Sequence, residues 1–391
     1  MSAPNRVQRV AIACGGTGGH LFPGLAVARE LRDRGVEALL MVSPKAVDQH
    51  AVAGLGGEFR VMTVPAVGFT GANLPAFFLA GLRACRASRR GFQDWRPDAV
   101  LAMGGFTSVA PVLAGRRLGC PCFLHESNAV AGRATRWLSR MVEAVFVGFP
   151  AAAGRIRARR VVVTGTPVRP EFRKPSPEAA RATLGLDPDR PLVLIMGGSQ
   201  GARAVNDWVS AAAPSIARTN PGLQWCHLTG AADESRVREA YAASGLHARV
   251  LSFCSGMGDL MAASTLAVSR SGASSLAELA AVRLPAVLVP YPDAADDHQR
   301  ANARVFVEAG AAAVLDPAVA GVPEVVEVLG RLLSDPEARA RIQVALARLD
   351  APGAAVRIAE AILGHPGSVT AGGRTAANGG RPRPGVQPTV A

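Results

Sequence analysis

The residues best suited to chemistry form a glycine-rich stretch near the start of the chain, CGGTGGH, which runs from Cys14 to His20. An apolar run typical of a buried strand precedes it, and a helical pattern begins near Pro23. Glycines allow backbone N–H groups to approach an oxyanion closely, and the start of a helix adds partial positive charge. The stretch therefore predicts a phosphate site, with a tight strand–helix turn that binds nothing as the alternative.

Two common nucleotide-binding motifs do not match this stretch. A G-x-G-x-x-G fingerprint that starts at Gly16 has Leu21 at its third glycine position, and the second predicted strand ends at Ser43 with no acidic residue there. No Lys-Ser or Lys-Thr pair completes a P-loop. These mismatches count against a dinucleotide cofactor and against a P-loop nucleotide site.

Two side chains are candidates for a general base. His20 ends the glycine stretch, where a neutral imidazole could accept a proton from an acceptor hydroxyl. A nearby helix N-terminus lowers the pKa of a histidine and keeps it neutral. Glu126, in the stretch HESNAVAG that closes a later strand, is the second candidate, either as the base or as the partner that orients His20. A histidine that only bonds to the helix backbone is the alternative.

Three segments of the second half add possible ligand contacts. GGSQGA, at 197–202, repeats the strand–glycine–helix arrangement. In SRSGASSLAE, the helix start at Ala273–Ser275 offers N–H groups and hydroxyls to a diphosphate, and Glu278 could accept two vicinal ribose hydroxyls. In DDHQRANA, Gln299 and Asn302 lie three residues apart on one helical face, where their amides could bind sugar hydroxyls.

Strand-like apolar runs alternate with helical patterns, which predicts an α/β fold with two doubly wound parallel sheets. The runs lie at 9–13, 38–42, 98–103, 120–125 and 143–148, and after Pro191 in PLVLIMGG, LQWCHLTG, TLAVSRSG and PAVLVPY. The predicted domains are 1–168 and 169–350, followed by a helix within 351–364 that packs back toward the first domain and a disordered tail at 365–391. Ligands of such sheets bind beyond the carboxyl ends of the strands, so the motifs should meet in a cleft between the domains.

The charge is distributed unevenly along the chain. Residues 1–168 hold 21 Arg and Lys against 9 Asp and Glu, a net charge of +12, whereas residues 169–364 hold 19 against 21, a net charge of −2. A basic half indicates an anionic partner, either a phosphate-bearing lipid or a nucleic acid. The aromatic content of 5% and the lack of a helix-turn-helix pattern count against nucleic acid.

One basic, apolar stretch predicts contact with a membrane surface. LPAFFLAGLRACRASRR, at 74–90, places apolar and basic side chains along one helix, with a core helix bordered by solvated arginines as the alternative. The chain shows no secretory signal and no apolar run near the ~20 residues that a spanning helix needs, so we expect it to stay in the cytoplasm, at the inner face of the membrane. The predicted docking residues are Phe77, Phe78, Leu82, Arg83, Arg86 and Arg90. Cys85 is expected on the same face of the helix, and Arg133, Arg136, Trp137 and Arg140 could extend the surface.

Together, these motifs resemble the undecaprenyldiphospho-muramoylpentapeptide β-N-acetylglucosaminyltransferases. The matching pieces occur in the family's order between about residues 7 and 360: GGTGGHLFPGLAVA, MGGFTS, HESNAVAG, GTPVR, GGSQGA, RSGASSLAE and DHQRANA. The resemblance implies a GT-B fold, in which a first domain binds the acceptor and the membrane and a second binds UDP-GlcNAc. It also implies inverting transfer to lipid I, without a metal or another cofactor, to form the peptidoglycan precursor lipid II.

The same match implies a set of donor contacts drawn from both domains. They are Asn128, Arg169, Ser199, Cys254, Ala273, Ser274, Ser275, Leu276, Glu278 and Gln299, and Thr17, Gly18 and Gly19 would approach the phosphates of the donor or of the acceptor. Cys254 stands where the family often has an apolar residue whose backbone meets uracil, and Ser127 stands where glutamine is common.

Other functions remain open at this point. A GT-B enzyme with another lipid or a small-molecule acceptor is the main alternative, and a UDP-GlcNAc 2-epimerase would share the fold and the donor. The sequence DPD at 187–189 has the spacing of a metal-binding D-x-D motif, but its flanking prolines favour a turn. The six cysteines form no C-x-x-C pair and predict reduced thiols, and the oligomeric state is left open.

Overall fold

The computed structural model describes residues 7–65, 74–198 and 201–365, without the side chains of residues 47, 50 and 74–78. Two parallel sheets form its frame, one in each half of the chain. Each sheet has an apolar core on both faces, and this explains why most of its strands are continuous apolar runs. The predicted fold class, two doubly wound α/β domains, is confirmed.

The first sheet has seven strands in the order β3-β2-β1-β4-β5-β6-β7. The strands are β1 (Arg9–Ala13), β2 (Glu37–Val42), β3 (Arg60–Thr63), β4 (Ala99–Ala102), β5 (Cys122–Glu126), β6 (Ala144–Val147) and β7 (Val161–Val163). Five helices cover it: α1 (Gly18–Asp33), α2 (Ala46–Ala53), α3 (Leu74–Trp95), α4 (Val109–Arg117) and α5 (Arg133–Leu138). A short helix, α6 (Pro177–Leu184), lies in the connecting segment between β7 and the first strand of the second sheet.

The second sheet has six strands in the order β10-β9-β8-β11-β12-β13. They are β8 (Leu192–Met196), β9 (Gln224–Leu228), β10 (Ala248–Leu251), β11 (Leu266–Ser269), β12 (Ala286–Leu288) and β13 (Ala313–Val314). The helices of this half are α7 (Arg203–Thr219), α8 (Glu234–Ala243), α9 (Met257–Ala263), α10 (Ala273–Val282), α11 (His298–Glu308), α12 (Val322–Ser334) and α13 (Pro336–Leu349).

The last helix, α14 (Ala354–Leu363), returns to the first half of the chain. Its Ile358, Ala359 and Ile362 are fully buried in the apolar core formed by α1 and the first sheet. Arg34, just after α1, lies 3.8 Å from Glu360 on the outer side of the same contact. The chain therefore crosses between the two sheets twice.

Helix α1 begins earlier than the sequence predicts. The sequence predicts a start near Pro23. The structure starts the helix at Gly18 and places Pro23 inside it. His20 therefore lies in the first turn of the helix rather than in the loop before it. None of the helices in the described part of the chain combines the length and hydrophobicity that crossing a bilayer requires.

Candidate active site

The helices that start at two glycine-rich motifs, α1 and α10, meet between the domains. Ser274 Oγ, at the start of α10, donates a hydrogen bond of 3.1 Å to the carbonyl oxygen of Gly19 in α1. That oxygen would normally accept the N–H of the residue four positions later, but this residue is Pro23, which has no N–H. A proline inside the first helix thus leaves a carbonyl oxygen available for a contact across the cleft.

The first glycine loop presents N–H groups at this meeting point. The N–H groups of Gly18 and Gly19 open α1 and have no partner within the helix. Gly16 adopts a φ of +114°, a conformation that other residues rarely adopt. Thr107 Oγ1 donates to the carbonyl oxygen of Gly15 at 2.6 Å. The loop is therefore held from outside while its last amides remain available to an oxyanion.

The ring of His20 lies against two glycines of the MGGFTS motif. A side chain on Gly105 would bring its Cβ to 2.8 Å from His20 Nε2, and Gly104 is similarly close to the ring. Both glycines have a positive φ. Their role was not predicted, although the motif was recognised, because glycine pairs are common in turns.

His20 is suited to accept a proton. Burial lowers its pKa below the ordinary value, although the negative charge of Glu126 acts in the opposite direction. Nδ1 is buried and has no hydrogen-bond partner among the described residues. The imidazole is therefore neutral at pH 7. A backbone hydrogen bond at Met103 raises the pKa of the ring against this trend, so the structure does not remove the alternative of a histidine bonded to the backbone.

Glu126 uses both carboxylate oxygens inside the protein. Oε1 accepts the backbone N–H and the side-chain amide of Asn128, at 3.0 and 3.1 Å, and Oε2 accepts the N–H of Gly132 at 3.0 Å. Only 4% of the residue is exposed. Glu126 thus holds the loop that follows β5, and its roles as a base or as the partner that orients His20 stay predictions.

His125 faces the core rather than the cleft. Its Nε2 lies 3.1 Å from the carbonyl oxygen of Gly165, so this nitrogen carries the hydrogen, and Nδ1 accepts the hydroxyl of Ser127 at 3.2 Å. Burial lowers the pKa of His125 to about 4. The residue is neutral and links β5 to the start of the connecting segment.

Asn128 and Asn302 join the two domains. Asn302 Oδ1 accepts the N–H of Ala129 at 2.8 Å, and its Nδ2 donates to Asn128 Oδ1 and to the carbonyl oxygen of Ser271, both at 3.1 Å. Asn302 is completely buried. Its amide is thus used between the domains, and the prediction that it could bind a sugar hydroxyl was wrong.

Arg169 and Glu278, both predicted donor contacts, lie beside each other. Arg169 Nη2 is 3.3 Å from Glu278 Oε1, and Nη1 is 3.0 Å from Glu171. The guanidinium also lies 4.1 Å from the ring centre of Phe22 in α1. Burial raises the pKa of the Glu278 carboxyl to about 7, although the charge of Arg169 lowers it. Glu278 therefore changes its charge near neutral pH.

The start of α10 provides backbone donors. The N–H groups of Ala273, Ser274 and Ser275 begin the helix, whereas the N–H of Leu276 bonds to the carbonyl oxygen of Gly272 at 3.0 Å. The side chain of Leu276 is fully buried in the core, so it offers no side-chain contact to a ligand. Three amides and the hydroxyl of Ser275 thus lie where a diphosphate was predicted, since the hydroxyl of Ser274 donates to Gly19.

The other predicted donor contacts lie around the cleft or outside the described residues. Gln299 Oε1 accepts the N–H of Tyr291 at 3.0 Å, so the amide nitrogen is the end left for a sugar. Cys254 is partly buried against the core below α9. Thr17 is exposed at the first loop. Ser199 lies outside the described residues.

Comparison with known proteins agrees with this arrangement. Residues 10–147 match the glycosyltransferase family 28 N-terminal domain, and residues 192–358 match the C-terminal domain of the same family. The chain belongs to glycosyltransferase family 28. The matched ranges contain the first and second sheets, except for the edge strand β7.

Two relatives of this family 28 chain carry the same name, UDP-N-acetylglucosamine–N-acetylmuramyl-(pentapeptide) pyrophosphoryl-undecaprenol N-acetylglucosamine transferase. The one from Anaeromyxobacter sp. strain Fw109-5 is 36% identical over 90% of this chain and 92% of its own length. The one from Nitratidesulfovibrio vulgaris strain Hildenborough is 37% identical over 91% of this chain and 97% of its own length.

Solved structures share the family 28 architecture. The crystal structure of Acinetobacter baumannii MurG has a TM-score of 0.71 at 29% identity and covers 92% of this chain and 100% of its own. A UDP-GlcNAc 2-epimerase from Neisseria meningitidis, solved with UDP-GlcNAc, has a TM-score of 0.67 at 14% identity, with coverage of 92% and 100%. The second likeness concerns the fold alone.

The predicted docking helix of this family 28 chain, α3, presents a basic and apolar face. Leu82 is 56% exposed, and Arg83, Arg86 and Arg90 are exposed on the same helix. Leu79, which the sequence analysis did not select, is 48% exposed. The side chains of Phe77 and Phe78 lie outside the described part of the molecule.

Three residues that were expected on the docking surface have other contacts in the structure. Cys85 was expected on the exposed face, but it packs against the core. Arg133 and Arg136 were expected to extend the surface, but they face Asp296 of the second domain at 3.7 and 3.4 Å. Opposite charge across the cleft explains their orientation. Trp137 is 48% exposed beside them.

The described residues hold no group of three or more side chains suited to a metal ion. In the DPD sequence, Asp187 Oδ1 accepts the N–H of Asp189 at 2.9 Å, as in a turn. The expectation that the reaction needs no metal remains a prediction.

Proposed function

We propose that this chain transfers N-acetylglucosamine from UDP-GlcNAc to lipid I, undecaprenyl-diphospho-N-acetylmuramoyl-pentapeptide, with inversion, and so forms lipid II. The names of its family 28 relatives support both substrates. The observation that carries the proposal is the hydrogen bond between Ser274 and Gly19, which joins the helix start that would hold the donor to the helix turn that carries His20.

The reaction needs one base and stabilisation of one leaving group. The acceptor hydroxyl oxygen attacks the anomeric carbon from the face opposite UDP, and the bond from this carbon to the phosphate oxygen breaks with its electron pair on UDP. His20 accepts the hydroxyl proton, because burial lowers the pKa of its imidazole and keeps the ring neutral at pH 7. Such a base contributes about 10²–10⁴-fold to the rate.

Backbone donors would stabilise the leaving UDP. The N–H groups of Ala273, Ser274 and Ser275 point out of the first turn of α10, where the helix dipole adds positive charge. Glu278, in the second turn, would accept the ribose hydroxyls in its ionised form. Glu126 positions Asn128 and the rest of its loop through the bonds already described.

The same proposal includes the place where the enzyme works. Lipid I is anchored in the bilayer by its prenyl chain, so the enzyme must reach the membrane surface. The exposed Leu79 and Leu82 of α3 would insert shallowly, and Arg83, Arg86 and Arg90 would face anionic headgroups. We therefore place the enzyme at the cytoplasmic face of the cell membrane as a peripheral protein.

Incubation with radiolabelled UDP-GlcNAc and a lipid I analogue tests the proposal. We expect the label in a product with the properties of lipid II and none in diacylglycerol offered at the same concentration. Transfer to diacylglycerol but not to lipid I would favour another acceptor. Conversion of UDP-GlcNAc to its 2-epimer without any acceptor would favour the epimerase alternative.

A further inference from the structure

A buried carboxylate, Asp48 in α2, lies directly beneath the first glycine loop. The side chain is completely buried. Its Oδ2 accepts the N–H of Gly16 at 2.7 Å, the N–H of Ser43 at 3.0 Å and the Ser43 hydroxyl at 2.6 Å. One oxygen thus connects the loop after β1 with the end of β2.

The loop depends on close contact with the end of β2. A Cβ on Gly15 would lie 2.3 Å from the backbone nitrogen of Ser43, so only glycine fits there. Lys45 Nζ donates to the carbonyl oxygen of Gly16 at 3.1 Å. Together with Thr107, which binds the carbonyl oxygen of Gly15, these bonds hold both peptide groups that lead into the anion-binding turn.

The bonds of Asp48 indicate a role beyond its own helix. Every hydrogen bond that its side chain makes in the described structure goes to Gly16 or Ser43, so it does not cap α2. Its second oxygen, Oδ1, is buried without a partner among the described residues. A buried polar atom without a partner destabilises the folded chain, so packing of the core alone does not explain why a carboxylate lies here.

The geometry also explains how Asp48 would affect binding. A carboxylate makes stronger hydrogen bonds than a neutral acceptor, so it keeps the N–H of Gly16 turned inward. With this peptide fixed, the N–H groups of Gly18 and Gly19 keep their direction at the start of α1. A loop that is already in its binding shape loses less entropy when an oxyanion binds.

We propose that Asp48 is a positioning residue that fixes the first glycine loop in the shape required to bind the diphosphate of the lipid acceptor. The inference rests on the proposed function and adds a residue that does not touch the substrate. Asp48 follows the predicted end of β2 by five residues and points at the loop, so it is not the ribose-binding acid of a dinucleotide site.

Asp98 provides a matched control, because its carboxylate also accepts two backbone N–H groups next to β1. Its Oδ2 binds the N–H groups of Gln8 and Arg9, at 2.8 and 2.9 Å, at the opposite end of β1 from the glycine loop. Asp48→Ala and Asp98→Ala therefore both remove carboxylate bonds to this region. Only the first change should affect the acceptor.

The experiment measures transfer, donor binding and local backbone protection in the full chain. For Asp48→Ala, we expect kcat/KM for a lipid I analogue to fall about 10²-fold, the effect of a misplaced binding group. The Kd of UDP should stay within about twofold, since UDP binds the second domain. Hydrogen exchange of the peptide covering residues 14–20 should become faster.

Asp98→Ala should change none of these three quantities. Asp48→Asn keeps one acceptor oxygen, so its kcat/KM and its exchange rate should lie between those of wild type and Asp48→Ala.

Each outcome distinguishes the two proposals. Unchanged exchange in residues 14–20, or equal effects of Asp48→Ala and Asp98→Ala on acceptor kinetics, would overturn the role of Asp48. Suppose that hydrogen exchange in residues 14–20 becomes faster in Asp48→Ala but the wild-type protein never uses lipid I. This result would support the positioning role of Asp48 and refute the proposed function. If Asp48→Ala does not fold, Asp48→Asn is compared with Asp98→Asn by the same three measurements.

Discussion

The two sides of the cleft hold their polar groups in different ways. On the side of the first domain, Glu126 and Asp48 are buried and bind mainly backbone N–H groups, and these bonds hold loops in place. On the side of the second domain, Glu278 faces the charged side chain of Arg169 and has a pKa of about 7. The carboxylates of the first side thus hold loops in a fixed shape, whereas the carboxyl group of Glu278 on the second side can gain or lose a proton near neutral pH. We expect changes on the first side to affect the chemical step and the acceptor, and changes on the second to affect the donor.

The largest effect should follow from the loss of the proposed base. In His20→Ala we expect kcat to fall about 10²–10⁴-fold, because the variant lacks the group proposed to accept the hydroxyl proton. The Kd of UDP should be nearly unchanged, since α10 is intact. Steady-state transfer and calorimetric titration with UDP measure the two quantities. Wild-type kcat would remove His20 from the mechanism, and a large loss found only in Glu126→Ala would make Glu126 the base.

A smaller, pH-dependent effect should follow from Glu278→Gln. The ionised carboxylate accepts ribose hydroxyls better than the protonated one, and the pKa is about 7, so wild-type affinity for UDP should increase from pH 6 to pH 8. The variant should bind UDP about tenfold more weakly at pH 8, the scale of one charge-assisted hydrogen bond. Because UDP itself titrates equally with both proteins, the difference between their pH profiles isolates Glu278. Parallel profiles would show that Glu278 does not titrate in this range.

The same carboxyl also affects stability. Its pKa in the folded chain is about 7, above the ordinary value of 4.5, so the folded state binds the proton more tightly than the unfolded state. The contribution of Glu278 to the free energy of unfolding is therefore fully present below pH 4.5 and is lost as the pH rises to about 7. Glu278→Gln should remove this part of the pH dependence in denaturant titrations.

The sequence predicted the interior of both sheets but not their edges. Each central strand is covered on both faces and reads as a continuous apolar run, as in RVAIA and LVLIM. The four strands that were missed, β3, β7, β10 and β13, are the outermost strands of the two sheets. They are two to four residues long and partly exposed, so they leave no long apolar run to recognise.

The site shows the same limit on prediction. The positions of Ser274 and Glu278 at the start of α10 follow from a local motif. The bond from Asp48 to Gly16 joins residues 32 positions apart, and the pairing of Glu278 with Arg169 joins residues 109 apart. Such contacts depend on how the elements pack, which local spacing does not contain. Residue type and local spacing therefore predicted candidate positions, whereas the burial and the hydrogen-bond partners that limit each group depend on the packed structure.

The smallest expected effect concerns the exposed face of α3, away from the cleft. The test compares an exposed apolar residue of the basic first half with one of the nearly neutral second half. Leu82→Ser should weaken binding to anionic liposomes at low salt about fivefold, since roughly half of a leucine side chain, worth about 1 kcal/mol, would no longer enter the membrane. Val344→Ser is the matched control, because Val344 is 57% exposed on α13 of the second half and Leu82 is 56% exposed. Co-sedimentation measures both. If the two variants bind equally, exposed apolar surface on α3 has no special part in docking. If wild type does not co-sediment at all, the membrane assignment of the whole first half fails, whatever happens at the cleft.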